Sequence, residues 1–302
     1  AGAAGGVLAD QWKEYFYCEA MDADVLLRKG MKRVGKRGSN RKGSDNLISD
    51  GSVIAINEGQ CMIIVDQGRI AEVCDEAGEF IYDASGEPSV FCQDLGESVQ
   101  RSFESLGRRF SFGGDTGKDQ RVYFINLKEI PGNKYGTANP IPYRIVDRNI
   151  GLDLEISIRC HGEYSYRIAD PVLFYTNVCA NAQEEYRRQE LEGQMRSELL
   201  TALQTVFARI AQQGIRYYQL AAHTEEMAGE LNRELSEKWM QTRGIEIVSF
   251  GISGVKAPEE DEEMIKQLQR SAVFRDPGMA AAALTGAQAE AMRAAASNTG
   301  GA

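Results

Sequence analysis

The chain has 302 residues, with 34 Lys+Arg against 44 Asp+Glu, for a formal charge of -10. Hydrophobic residues make up 43% and charged residues 26%, the composition of a globular protein with enough chain for a core and one or two domains. No window approaches 18 uninterrupted apolar residues, which excludes a transmembrane helix within the sequence, and the acidic balance argues against nucleic acid as a partner.

Residues 1–6 contain only Ala and Gly, so they form no signal peptide as written. Val7 to Ala20 carries Leu8, Trp12, Tyr15, Phe16 and Glu19 at i, i+4, i+7, i+8 spacing, which predicts an amphipathic helix. From Arg28 to Lys42 eight basic residues stand among Gly, Ser and Asn without an apolar period, which predicts a basic loop. Gly51 to Tyr82 reads as a β meander. Its runs Val53–Ile56, Cys61–Val65, Ile70–Cys74 and Glu79–Tyr82 are separated by glycine-bearing turns at about ten-residue spacing. Gly96 to Phe112 returns to helical spacing, with Val99, Phe103, Leu106 and Phe110 on one stripe and Arg101, Arg108 and Arg109 beside it.

Val122–Leu127 and Leu152–Cys160 read as strands, the second alternating strictly between apolar and polar. A turn at His161-Gly162 precedes a continuation through Tyr164, Tyr166 and Ile168. Asp170 suits a helix N-cap and Pro171 the first helical position. Val172, Leu173 and Phe174 would dock that short helix on the sheet, and a longer helix follows through about Gln213, with Leu191, Met195, Leu199, Ala202, Val206 and Ile210 three or four apart. Another starts at Thr224 with stripe residues Met227, Leu231, Leu235 and Trp239, and Gly244 ends it. Ile245–Val255 is strand-like. A helix opens at Pro258 with an acidic first turn favoured by the helix dipole, and an Ala-rich helix covers Ala280 to Ala296.

The order of these features carries a resemblance. The glycine-punctuated meander, the alternating strand at 152–160 and the run Tyr166-Arg167-Ile168-Ala169-Asp170-Pro171-Val172-Leu173-Phe174 precede amphipathic helices, a strand and an Ala/Glu-bearing tail helix. This resembles the SPFH, or band 7, superfamily of stomatin, prohibitin and flotillin relatives, over roughly Gly51 to Arg275. The stretches 113–120 and 132–136 resemble a bacterial subgroup of soluble SPFH proteins, labelled virion-core-like, that usually ends in a zinc ribbon. The sequence has no C-terminal cysteine pairs, so zinc is expected only in a ribbon outside it, and no other cofactor is expected.

The resemblance implies an α+β fold: SPFH-type mixed β-sheet subdomains with packed helices, followed by an extended helical C-terminal segment. The expected division is residues 1–50 (N-terminal helix and basic loop), 51–170 (first, β-rich SPFH subdomain), 171–256 (second SPFH subdomain) and 257–302 (helical, coiled-coil-like oligomerisation segment). It also implies a non-enzymatic, flotillin-like scaffold that homo-oligomerises and organises proteins as a peripheral component of the cytoplasmic membrane face. The alternative expectation is a soluble adaptor acting as a monomer or small oligomer through protein partners.

The residues agree with an absence of catalysis. Only two histidines, His161 and His223, are present. Cys160 and His161 are neighbours in a strand and point to opposite faces, so they cannot pair. Six cysteines, at 18, 61, 74, 92, 160 and 179, show no Cys-x-x-Cys spacing and read as small buried apolar groups in a reducing compartment. Gly30 to Lys36 imitates part of a P-loop, but Arg37 stands where Ser or Thr must hold magnesium. No small-molecule substrate is expected. The candidate contacts with membrane or partner are Trp12 and Phe16, the basic residues Lys32, Arg33, Lys36 and Arg37, and the helix residues Val99, Phe103, Leu106, Arg108, Arg109 and Phe110. For the 96–112 helix the competing expectation is packing on the protein's own sheet. No aromatic interleaves the basic loop, which removes a stacking platform for nucleic acid.

Overall fold

The computed structural model describes residues 14–34, 46–82, 97–108, 119–147, 152–180, 182–273 and 277–298. Two compact units emerge. The first holds residues 1–135, 163–202 and 225–250, and the second holds 136–162, 203–224 and 251–302.

Two sheets build most of the first unit. The strands β1 (Glu14–Tyr17), β2 (Val25–Lys29), β3 (Met31–Val34), β4 (Val53–Ile56), β5 (Gln60–Asp66), β6 (Arg69–Cys74), β7 (Gly78–Ile81) and β8 (Gln120–Asn126) alternate between them. One sheet has the order β3-β1-β4-β7. The other runs β12-β2-β8-β5-β6, with β12 spanning Glu185–Arg187. The expected meander is therefore redistributed. Its four runs exist as strands, but β4 pairs with β1 and β7 while β5 pairs with β6 and β8. Apolar side chains of both sheets meet in one core that includes Phe16, Ile54 and Ile56 from the first and Val25, Met62, Ile64 and Phe124 from the second. The β5–β6 turn places Gln67 at φ 49° and Gly68 at φ 79°. Two successive positive φ values give the twist that a tight hairpin needs, and glycine adopts them without steric penalty.

Residues 14–34 depart from expectation. The predicted helix over 7–20 is replaced in its described part by the strand β1 and irregular residues 18–20, and the predicted basic loop contains the end of β2 and all of β3. Helix α1 (Glu97–Arg108) forms as its spacing predicts.

The strand β11 (Leu152–Ile168) is one 17-residue element, so the expected turn at His161-Gly162 is absent. Its alternation continues through both residues, His161 exposed and Gly162 buried. It shares a sheet with β9 (Ile130–Gly136), β10 (Ile141–Asp147) and β13 (Ile245–Lys256). In the second unit β10 lies antiparallel to it, from Ile141 opposite Ile158 to Asp147 opposite Leu152.

Asp170 and Pro171 open the short helix α2 (Pro171–Phe174), followed by a π-helical turn over Tyr175–Cys179. The longer helix expected to follow this short one, through about Gln213, is α3 (Gln189–Gln212), which begins after β12. Downstream come α4 (Thr224–Leu235), α5 (Met240–Arg243), α6 (Glu259–Val273) and α7 (Pro277–Asn298). Gly244 closes α5 in the left-handed region at φ 67°. A Cβ there would lie 2.2 Å from the Asp170 carbonyl oxygen, so only glycine fits. The mixed sheets and packed helices are the α+β class expected.

Four cysteines, 18, 61, 160 and 179, are free and buried, as small apolar groups should be. Cys74 instead belongs to a disulfide, which corrects the expectation of unpaired thiols at that position.

Candidate interaction surfaces

The chemistry available inside the first unit concerns stability more than turnover. Lys32 Nζ lies 2.8 Å from Glu14 Oε1, and the two side chains are 9% and 1% exposed. The second Glu14 oxygen accepts from the Ser49 N–H at 2.9 Å and the Ser52 hydroxyl at 3.2 Å. Burial opposes ionisation of Glu14, but the Lys32 hydrogen bond, the Ser49 N–H and the Lys32 charge together hold its carboxyl below the usual value. Lys32 also donates to the Leu47 carbonyl at 3.2 Å and stands 5.7 Å from the Phe16 ring centroid. Its charge is thus consumed indoors. Phe16 is 3% exposed and belongs to the core. Both residues are corrected as surface contacts, because the strand alternation turns them inward.

Alternation turns their neighbours outward. Tyr15 and Tyr17 are half-buried on the opposite face of β1, with ring centroids 6.0 Å apart. Arg33 lies directly across from Tyr15 in the β1–β3 register. Its guanidinium sits 4.5 Å from the Tyr17 ring centroid and its Nε donates to the Tyr17 hydroxyl at 3.0 Å. The Tyr15 hydroxyl donates to Glu79 at 2.9 Å, and burial together with that carboxylate pushes its pKa up to about 12. Val53 pairs with both Tyr15 and Ile81, extending the same row across the sheet. Ile81 is 67% exposed and Met31 36%. The result is an aromatic and aliphatic face with the Arg33 guanidinium stacked on it. Of the basic residues proposed for contact, Arg33 is therefore placed on a surface, whereas Lys36, Arg37 and Trp12 lie outside the described residues.

Helix α1 packs on its own unit. Val99 is 5% exposed and Phe103 half-buried, while Arg101 is exposed and ion-pairs with Glu97 one turn earlier. The Ser102 hydroxyl donates to Asp170 Oδ2 at 2.5 Å. The first turns of the apolar stripe thus face protein, as the competing expectation held, and Val99 is corrected as a membrane contact. Leu106 and Arg108 belong to the helix; Arg109 and Phe110 lie outside the described residues.

Asp170 is 2% exposed, and every part of its carboxylate is used. Oδ1 accepts from the N–H groups of Val172 and Leu173, both at 3.0 Å, capping α2 as the sequence predicts. The N–H groups of Ala169 and Asp170 both donate to the Gly244 carbonyl. The Asp-Pro motif is therefore an architectural joint.

The described thiols are poorly disposed to act as nucleophiles. Burial pushes the Cys160 thiol up to about 11 despite the Thr137 hydrogen bond, and raises Cys18, Cys61 and Cys179 as well. Cys160 is buried while His161 is exposed on the other face of β11. Among the described residues, no three His, Cys, Asp or Glu side chains converge as a metal site. No described helix is long and apolar enough to cross a membrane.

Comparison with known proteins agrees with the architecture. The chain is 23% identical over 224 residues to "Uncharacterized protein YdjI" of Bacillus subtilis (strain 168), an alignment that covers 74% of this chain and 62% of the relative. The chain thus spans less than two thirds of that relative's length. Residues 41–273 match the SPFH domain-Band 7 family, whose members are generally non-enzymatic scaffolds. With strands β4 to β13, the Asp170 joint and helices α1 to α6 inside the matched region, the chain belongs to the SPFH domain-Band 7 family.

Proposed function

We propose that this chain is a non-enzymatic scaffold that self-associates into a large homo-oligomer and organises proteins at a membrane surface. The observation that carries the reading is helix α7. Every side chain described between Gly278 and Ala296 is exposed, with Leu284 63% and Met292 72% accessible. A 22-residue helix whose described side chains are all exposed gains little from tertiary packing, which is the main source of helix stability in proteins. A second copy supplies the missing cover. Helix α6 adds Met264 and Leu268, one turn apart and 41% and 39% exposed.

The membrane half of the reading rests on the outer face of the β3-β1-β4-β7 sheet. Aromatic rings with a stacked arginine beside exposed Ile81 suit the boundary between lipid headgroups and acyl chains. We place the protein as a peripheral component of the cytoplasmic face, with residues 1–50, 51–170, 171–256 and 257–302 as its working divisions.

Light scattering and negative-stain microscopy test the assembly. Wild type forms particles much larger than the 33.3 kDa chain, and Leu284→Glu with Met292→Glu shifts them to smaller species. A strictly monomeric wild type refutes it. Co-sedimentation with anionic vesicles, lost in Ile81→Asp, tests the membrane half.

A further inference from the structure

The second unit contains a cleft that the scaffold reading does not use. It lies between the residues following β9, the middle of β11 and the junction of β13 with α6, and encloses about 660 Å³. That volume falls within the range of small-molecule sites. Its walls include Ala138, Pro140 and Pro258, and its polar groups include Thr137, Arg159, His161 and Lys256. Among the described residues no carboxylate lines it; Glu259 and Glu260, which open α6, are outside its lining.

Acidic residues outnumber basic ones by 44 to 34. Arg144, Arg167, Arg188 and Arg243 each hold a carboxylate. Arg159 and Lys256 make no ion pair with any described residue, although both are exposed and free to find one. Two unpaired cations and an imidazole share one apolar-walled cleft.

The floor is firmly built. The Thr137 N–H donates to the Cys160 carbonyl at 2.9 Å, and the Cys160 N–H donates to the Thr137 hydroxyl at 2.9 Å. These bonds fix the backbone between Arg159 and His161. The His161 ring lies against β13, so close that a Cβ on Gly254 would come within 2.8 Å of its Cε1. Glycine at 254 is what lets the imidazole settle there.

We propose that this cleft binds a phosphate monoester carrying an apolar body. A guanidinium, an ammonium and an imidazole N–H match the several terminal oxygens of a phosphate dianion, and charge-assisted hydrogen bonds are the strong kind. The Pro and Ala walls receive the apolar body. The ligand is either a free organic phosphate or the headgroup of a phosphatidic-acid-type lipid, and this assignment is independent of the scaffold reading.

Equilibrium dialysis of phenyl phosphate against the full chain at low salt tests the site. Saturable binding of one ligand per chain is expected, weakened at least about tenfold in the Arg159→Gln/Lys256→Gln double variant and unchanged in Lys266→Gln. Phenol, without the charge, should not bind. Vesicles of phosphatidic acid in phosphatidylcholine distinguish the sources. A lipid ligand gives pelleting that the double variant loses and phenyl phosphate competes away; a free ligand gives phenyl phosphate binding with pelleting indifferent to both. Wild type that binds no phenyl phosphate below about 10 mM, or a double variant that binds it equally well, overturns the proposal.

Discussion

Replacing Glu198 by Gln is the sharpest test of how the helices of the first unit are held. Arg243 grips the carboxylate with both terminal nitrogens, at 2.6 and 3.0 Å, and Trp239 Nε1 donates to it at 2.8 Å. Gln194 adds a further bond at 3.1 Å. The Arg243 hydrogen bonds chiefly, against an opposing desolvation, lower the Glu198 pKa from 4.5 to about 2. A displacement of that size corresponds to about 3 kcal/mol of folding free energy. The Glu198 and Arg243 side chains are 16% and 14% exposed, and solvent screening reduces the figure to about 2 kcal/mol. Because the folded-state pKa is depressed, this stability is present in full above the unfolded value of 4.5 and is lost as pH falls through about 2. Urea unfolding followed by Trp239 fluorescence reads it out. With a slope of about 3 kcal/mol/M, Glu198→Gln should lower the midpoint by about 0.7 M near neutral pH. The gap to wild type should close as both are titrated toward the folded-state value. Curves that coincide at neutral pH, or a gap that stays constant down to acid pH, would refute the reasoning.

Other consequences can be measured with the same tools. Lys32→Met leaves the Glu14 carboxylate buried without its cation and should cost about 3–5 kcal/mol, whereas Glu14→Gln combined with Lys32→Met should recover much of that loss; a double variant as unstable as the single one contradicts the pairing. Gly244→Ala must displace the Asp170 carbonyl that a Cβ would meet at 2.2 Å, and should lower thermal stability by more than the few tenths of a kcal/mol typical of an exposed site. An unchanged melting temperature would show that the α5 terminus adapts freely. With their thiols raised by burial, Cys61 and Cys179 should resist alkylation at mildly alkaline pH until urea is added. Labelling at the rate of a free thiol in native buffer would place them at the surface.

The downstream half of the fold is legible in the sequence because its signals are local. Asp170-Pro171 and Gly244 act through bonds to near neighbours, and the stripe of Met227, Leu231 and Leu235 repeats often enough to define a period. All three of these stripe residues are buried. Residues 14–34 mislead for the opposite reason. Strands four or five residues long offer too few alternations to compete with a chance helical spacing, and Tyr15, Phe16 and Glu19 happen to supply one. Lys32 looks like a loop cation because its partner, Glu14, stands a whole hairpin earlier. Nothing in the local sequence announces that a lysine will be paired inside. The division of the meander between two sheets is equally hidden, since it depends on β1 and β8, which lie outside the meander. Of the candidate contacts, Arg33 could be placed by alternation once β3 was known. The Arg159–His161–Lys256 grouping needed the β11–β13 neighbourhood, which sequence spacing does not supply.

The Asp170 joint also has a consequence for the order in which the chain settles. Its cap to Val172 and Leu173 closes over two and three residues, so it can form as soon as that stretch leaves the ribosome. The bond from Ser102 spans 68 residues, yet loop-closure entropy rises only logarithmically with length, and its donor has already been synthesised. The Gly244 carbonyl arrives last. The N–H groups of Ala169 and Asp170 therefore wait for the end of α5, and the left-handed glycine acts as the final latch on a junction assembled earlier.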